Sequence, residues 1–147
     1  METKNLYSLF TSSNGVSIDT RNLIGGEIFF SLKGKNFNGN NFALEALNKG
    51  ASFSVIDDKS ILNKNQNLIY VDDSLKSLQE LSSYHRSQFD TKIIGVTGSN
   101  GKTTTKNLIH SILSQKYNVI KTKSNLNNHI GAVSYTHLRA HETEPDL

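Results

Sequence analysis

The sequence has no cysteine and no tryptophan, and only one proline and one methionine. Without cysteine, a disulfide scaffold and a thiolate-ligated metal centre are both excluded, and a reducing cytoplasm is the expected compartment. No apolar run approaches the roughly 18 residues of a membrane-spanning helix. The opening METKNLYSLF also lacks a basic stretch followed by an apolar one, so neither a span nor a secretory leader is expected. Charge of one sign is not massed anywhere. The 16 Lys and Arg residues against 13 Asp and Glu give a net +3, but basic residues alternate with acids along the chain. Nucleic acid is therefore not an expected partner; a membrane is not expected either, for want of a span, and a monomer is the expected state.

What is present is a globular composition. Apolar residues make up 35% of the 147, with seven Phe and five Tyr. That suffices for one medium domain, or one small domain and part of another, and is too little for a three-domain enzyme. Over the first ninety residues, β-prone runs fall at Val16-Ser17-Ile18, Glu27 to Leu32, Ser52 to Ile56 and Leu68 to Val71. Between the second and third, FALEALNK predicts a helix capped by Asn40 or Asn41 and stopped at Gly50. After the fourth, Asp73 or Ser74 predicts the start of a helix reaching about Phe89, with Leu75, Leu78, Leu81, His85 and Phe89 on its inner side. His85 is read there as a packed side chain rather than a ligand.

A second unit follows. Lys92 to Thr97 reads as an apolar strand, Gly98 to Gly101 as a turn, Thr103 to Gln115 as a helix and Asn118 to Thr122 as the next strand. A β-α-β order makes the two strands parallel. The expected fold class is α/β: a small mixed α/β N-terminal domain over residues 1–88, then the truncated start of a parallel-sheet P-loop ATPase domain over 89–132. The stretch 133–147, VSYTHLRAHETEPDL, breaks the alternation and reads like the frame translation of a transposase-type sequencing adapter, so a non-native tail is expected there. His137, His141 and Glu142 mimic a helical metal pair, but fall within that tail.

The strongest chemical signal is Gly95-Val96-Thr97-Gly98-Ser99-Asn100-Gly101-Lys102-Thr103-Thr104, set between strand and helix. A polyphosphate needs backbone N–H groups converging on its oxygens, and glycines let the backbone come close. Gly98, Ser99, Asn100 and Gly101 would form that cradle. Lys102 would put its charge on the β and γ phosphates, Thr103 would place a hydroxyl on Mg²⁺, and Thr104 would continue the first helical turn. ATP and Mg²⁺ are the implied cofactors, with Lys102 and Thr103 as the catalytic candidates. The strict pattern would have glycine at position 96, where this chain has Val96, so the match is to a variant loop. An ordinary turn that happens to contain Gly-Lys-Thr is the competing reading. The strand before it and the helix after it argue for the phosphate loop.

The string Thr97 to Thr104 resembles the ATP loop of the Mur ligases. Upstream, Asp19-Thr20-Arg21 followed by Gly26-Glu27-Ile28-Phe29-Phe30-Ser31-Leu32-Lys33-Gly34 is similar to the D-[ST]-R…G-x-[LI]-F-x-A-[LI]-x-G signature of that family's N-terminal domain. Asn125 to Gly131 and Thr104-Thr105-Lys106 resemble the branch that takes D-alanyl-D-alanine as its amine substrate. The resemblance covers residues 1–132 and implies an ATP-dependent amide ligase of peptidoglycan precursor synthesis. In such an enzyme ATP phosphorylates the carboxylate of a UDP-N-acetylmuramoyl-peptide, and an amine displaces phosphate from the acyl phosphate. It also implies that Thr20, Arg21, Lys33 and Gly34 contact the UDP end of the substrate. Asn127, Asn128 and His129 would line the peptide site, or else satisfy their own loop's backbone. Where the family often has Asp-Gly-His, this chain has Asn38-Gly39-Asn40. The 147 residues alone are expected to be inactive. A sister ligase that adds a diamino acid, or a non-catalytic nucleotide-binding module, remain the alternatives.

Overall fold

The computed structural model describes residues 2–90 and 92–122. Asn127, Asn128, His129 and all of 133–147, with His137 and His141, lie outside the described residues. The chain divides into two compact units, 1–88 and 89–147.

In the first unit the β-prone runs become a parallel sheet. Its strands are β1 (Val16–Ser17), β2 (Ile28–Phe30), β5 (Phe53–Ile56) and β6 (Leu68–Tyr70), arranged in that order. Val16 pairs with Ile28, Ile28 with Phe53 and Ser54 with Leu68, all in parallel register. Every residue of β2 is buried, as expected for a strand covered on both faces. Alternation sends Phe29 to one face, where it packs with Ala46 and Ala51 against Leu23, Phe42 and Leu47. Ala46 comes from α2 (Ala43–Asn48), whose Ala43 also packs with Ile56 and Leu68. Across the sheet, α3 (Ser74–Ser87) packs on β2 and on α1 (Thr3–Thr11). Leu6 and Phe10 of α1 and Leu78, Leu81 and His85 of α3 are buried. The His85 imidazole meets the Phe10 ring edge-on, with centroids 5.0 Å apart, and the Tyr7 hydroxyl lies 3.4 Å from its Nδ1. His85 is thus a packed side chain, as its sequence context predicts.

The structure differs from the sequence reading at four local points. The expected cap at Asn40 or Asn41 is instead Asn38, whose side-chain oxygen accepts the Asn40 N–H at 3.1 Å. That bond opens a 3₁₀ segment, Gly39–Phe42, so the α-helix begins only at Ala43. Asp73, one of the two residues considered, caps α3 by accepting the Lys76 N–H at 2.9 Å, but α3 stops at Ser87 and leaves Phe89 exposed. Two further elements were not anticipated: α1, and a small antiparallel hairpin of β3 (Lys33–Gly34) and β4 (Phe37–Asn38).

In the second unit the helix forms as α4 (Lys102–Leu113), while the strands expected at 92–97 and 118–122 do not. A parallel strand takes all its ladder bonds from neighbours, and none pairs with either segment among the described residues. Ile93, Ile94, Leu108 and Ile112 are accordingly exposed, and α4 buries no residue. Besides its own backbone bonds it is tied to the following segment by Lys106 Nζ to the Thr122 carbonyl at 2.8 Å and Lys121 Nζ to Asn107 Oδ1 at 3.0 Å.

The α1–α3 layer predicts a specific sensitivity. Leu81 is fully buried, so Leu81→Ala should lower the unfolding free energy by about 2–5 kcal/mol through lost transfer energy and a residual cavity. Urea titration followed by circular dichroism measures this, and a loss under about 0.5 kcal/mol would mean the layer is not packed as described.

Candidate functional site

The segment Gly98 to Thr104 combines positive-φ glycines, an uncapped helix start and a lysine. Gly98 and Gly101 have φ of +143° and +78°, a region where an L side chain is strained. Gly101 is the N-cap of α4, and no side chain caps the helix there. The Thr105 N–H donates to the Gly101 carbonyl at 2.9 Å, closing the first turn. The preceding N–H groups have no intrahelical acceptor, and the helix dipole adds partial positive charge at that end. Lys102 folds back over the loop, its Nζ donating to the Gly98 carbonyl and, at 3.4 Å, to that of Ser99. An ammonium held by two neutral carbonyls can exchange them for phosphate oxygens at a gain in charge complementarity. Thr103 is exposed, with its hydroxyl on the same first turn. A hydroxyl oxygen suits Mg²⁺, which usually takes one or two protein ligands and completes its shell with water and phosphate. Among the described residues no group of three or more His, Asp and Glu could hold a metal by itself.

The N-terminal candidates gather differently. In a parallel sheet all strands end on one edge, and ligands of α/β sheets bind beyond those ends. Thr20 and Arg21 follow β1, Lys33 and Gly34 follow β2, Asp57 follows β5, and Asp73-Ser74 follow β6. Thr20 is buried, and its hydroxyl donates to Glu45 Oε1 at 3.1 Å while its carbonyl accepts from Lys49 at 3.3 Å. Its side chain is therefore engaged in holding the loop to α2. Arg21 is 84% exposed and makes a two-pronged pair with Asp19, Nε to Oδ1 at 2.9 Å and Nη2 to Oδ2 at 2.6 Å. Those hydrogen bonds hold the Asp19 carboxyl down at about 2.

Lys33 and Gly34 sit on the β3–β4 hairpin, beside an open depression of about 380 Å³ also lined by Lys35, Asn36, Phe37, Asn38 and Asn41. The Lys33 ammonium contacts Asp57 at 2.9 Å, a bond that raises its own pKa. Asp57 is the residue that the sequence reading missed. It accepts from Asn40 Nδ2 at 2.7 Å, and its own N–H donates to Asn40 Oδ1 at 3.1 Å. Burial pushes the Asp57 carboxyl up, but the bonds from Asn40 and Lys33 outweigh it and leave the pKa below the ordinary value. Asn38 and Asn40, which stand where the family often carries an acid and an imidazole, thus act as structural pins. Gly39 between them passes close under β2's exit: a Cβ there would lie 2.5 Å from the Leu32 carbonyl oxygen.

A glycine turn at a helix N-terminus with a lysine folded over it is an arrangement that suits an anion in an α/β protein. Residues 12–86 match the model of the Mur ligase family catalytic domain, and residues 96–145 that of the Mur ligase middle domain. The chain belongs to the Mur ligase family. It is 46% identical, over 82% of its length, to UDP-N-acetylmuramoyl-tripeptide--D-alanyl-D-alanine ligase of Bacillus subtilis (strain 168). It is 43% identical over 80% of its length to the enzyme of the same name from Synechocystis sp. (strain ATCC 27184 / PCC 6803 / Kazusa). The chain spans 27% and 26% of the length of these two relatives. A solved MurF ligase from Thermotoga maritima in complex with ADP superposes with a TM-score of 0.76 at 31% identity, covering 87% of this chain and 29% of that one. No helix among the described residues is long and apolar enough to cross a membrane.

The Asp57 bonds carry a pH signature. A carboxyl whose folded pKa is depressed contributes stability above its unfolded value, and loses it as pH falls through the folded value. Asp57→Asn should therefore be less stable than wild type at neutral pH, with the gap closing as pH drops below the ordinary 3.8. Urea midpoints of both proteins from pH 7 to pH 2 measure it. A gap that stays constant over that range would show that the Asp57 charge contributes nothing.

Proposed function

We propose that this chain provides the uridine-nucleotide domain and the ATP-phosphate loop of a ligase that joins D-alanyl-D-alanine to a UDP-N-acetylmuramoyl-tripeptide in the cytoplasm. The observation that carries the phosphate chemistry is the uncapped N-terminus of α4 behind Gly98 and Gly101, with Lys102 lying across it. The choice of amine and peptide rests on what the relatives are called.

In this reading residues 1–88 hold the UDP end of the substrate through Arg21, Lys33 and Gly34, with Thr20 fixing the loop that presents Arg21. The backbone N–H groups of Gly98 to Thr104 bind the β and γ phosphates of ATP. Lys102 leaves its carbonyl partners to neutralise the γ phosphate as it moves to the substrate carboxylate, and the amine then displaces phosphate from the acyl phosphate. Thr103 would supply a protein hydroxyl for Mg²⁺, which would offset the phosphate charge when bound. Phosphoryl transfer depends mainly on such positioning and charge neutralisation, so loop residues dominate. Asn127, Asn128 and His129 are assigned to the peptide end, and the stretch 133–147 is read as foreign to the enzyme although the middle-domain model matches through residue 145.

Two titrations test this on the 147-residue chain. ADP should bind, and Lys102→Ala should weaken that binding roughly tenfold to a hundredfold, the value of a charged hydrogen bond. UDP-N-acetylmuramoyl-tripeptide should bind independently of that substitution. ADP binding without any affinity for the UDP-peptide would leave a nucleotide-binding module and sink the ligase assignment. Equal ADP affinity of wild type and variant would remove Lys102 from the phosphate site.

A further inference from the structure

The β3–β4 hairpin carries an apolar ring where its surroundings are polar. Phe37 is 51% exposed, yet one face of its ring is stacked on Phe42, with centroids 5.3 Å apart and planes only 14° from parallel. Phe42 is itself packed against Phe29, Ala46 and Ala51 of the core. The exposed ring therefore stands on a rigid base. Beneath it, the backbone is pinned by the Gly39 N–H to the Leu32 carbonyl at 2.8 Å and by the bonds linking Asn38, Asn40 and Asp57. The depression around Phe37 has two cations, Lys33 and Lys35, and amides from Asn36, Asn38 and Asn41.

A flat apolar surface bordered by ammonium groups and amides fits one ligand chemistry: a planar heterocycle attached to phosphate. We propose that the free face of Phe37 stacks on the base of the uridine nucleotide, making Phe37 a base-binding residue of the substrate site. This inference rests on the uridine-nucleotide reading of residues 1–88. A base laid there extends the Phe42–Phe37 stack by one layer. The amide side chains of Asn36 and Asn41 are then the groups available to its polar edge, and the diphosphate is left to the lysines. Offset stacking of this kind is favoured by the ring quadrupoles and tolerates any base, since every base presents a π-face. The ring thus registers that a base is present, while the amides distinguish which one.

Calorimetric titration of the 147-residue chain with UDP and with inorganic pyrophosphate tests the proposal. Phe37→Ala should weaken UDP binding roughly fivefold to a hundredfold, the range measured for base–aromatic stacks. Pyrophosphate binding should be unchanged, and Phe37→Tyr should restore UDP affinity. Wild-type UDP affinity in Phe37→Ala would overturn the stack and leave the uridine-nucleotide reading standing. Equal losses for UDP and pyrophosphate would also overturn it, because the ring would then only be supporting the loop. A wild-type chain that binds no UDP would remove both this inference and the reading beneath it.

Discussion

A parallel strand cannot be followed directly by its neighbour: the chain must return to the starting edge before the next strand begins. In the first unit this happens between each pair of adjacent strands, and the order β1-β2-β5-β6 follows the sequence without reversal. Every strand therefore releases the chain at the same edge. That single sense of direction assembles residues as distant as Thr20, Lys33, Asp57 and Ser74 beyond one row of strand ends. It also concentrates unlike demands there, because α3 presents its N-terminus and several carboxylates and ammonium groups must be accommodated side by side.

The accommodation is made by short, specific bonds. Asp19 is matched by Arg21 two residues on, Glu45 by Lys49 one helical turn on, and Asp57 by Lys33 across the sheet edge. The first two pairs are exposed, and pairs of that kind contribute little to stability. The third differs because Asp57 is partly withdrawn from water and also accepts from Asn40, itself only 4% exposed. Leaving such a carboxylate without its donors costs more than a surface pair gains. Asp57 therefore locks the hairpin to β5, and so fixes the orientation of the loop from Lys33 to Asn38.

Legibility in the sequence followed the range of the interaction. The strands and α3 were readable because their burial repeats at fixed spacing: Leu78 and Leu81 a turn apart, Ile28 to Phe30 in one apolar run. The glycine turn and the helix start at Lys102 were readable because they are written in adjacent residues. The Asn38–Asn40–Asp57 pin was not, since it joins residues 17 apart through side chains that each look like ordinary loop polarity. The hairpin was missed for a related reason: Lys33-Gly34 and Phe37-Asn38 are two-residue strands, too short for any period. The strands expected at 92–97 and 118–122 show the opposite failure. Their apolar pattern is real, but a pattern supplies only a face to cover; ladder bonds must come from another strand.

That contrast separates the two units physically. In the first, helices cover both faces of the sheet, so its loops are held by a core that exists without ligand. In the second, α4 buries nothing, and Ile93, Ile94, Leu108 and Ile112 face water at a density that marks surfaces made to be covered. The family's middle-domain model matches residues 96–145, and the chain spans 27% of the length of the Bacillus subtilis relative. Among the described residues the loop's order depends on local terms: two glycines at positive φ, one closed helical turn and a lysine bonded to carbonyls. Any anion that binds this end adds its binding free energy to that small sum. Order in the 98–104 loop and binding of an anion there would therefore be coupled, whereas the depression beside Phe37 is held by the core of the first unit.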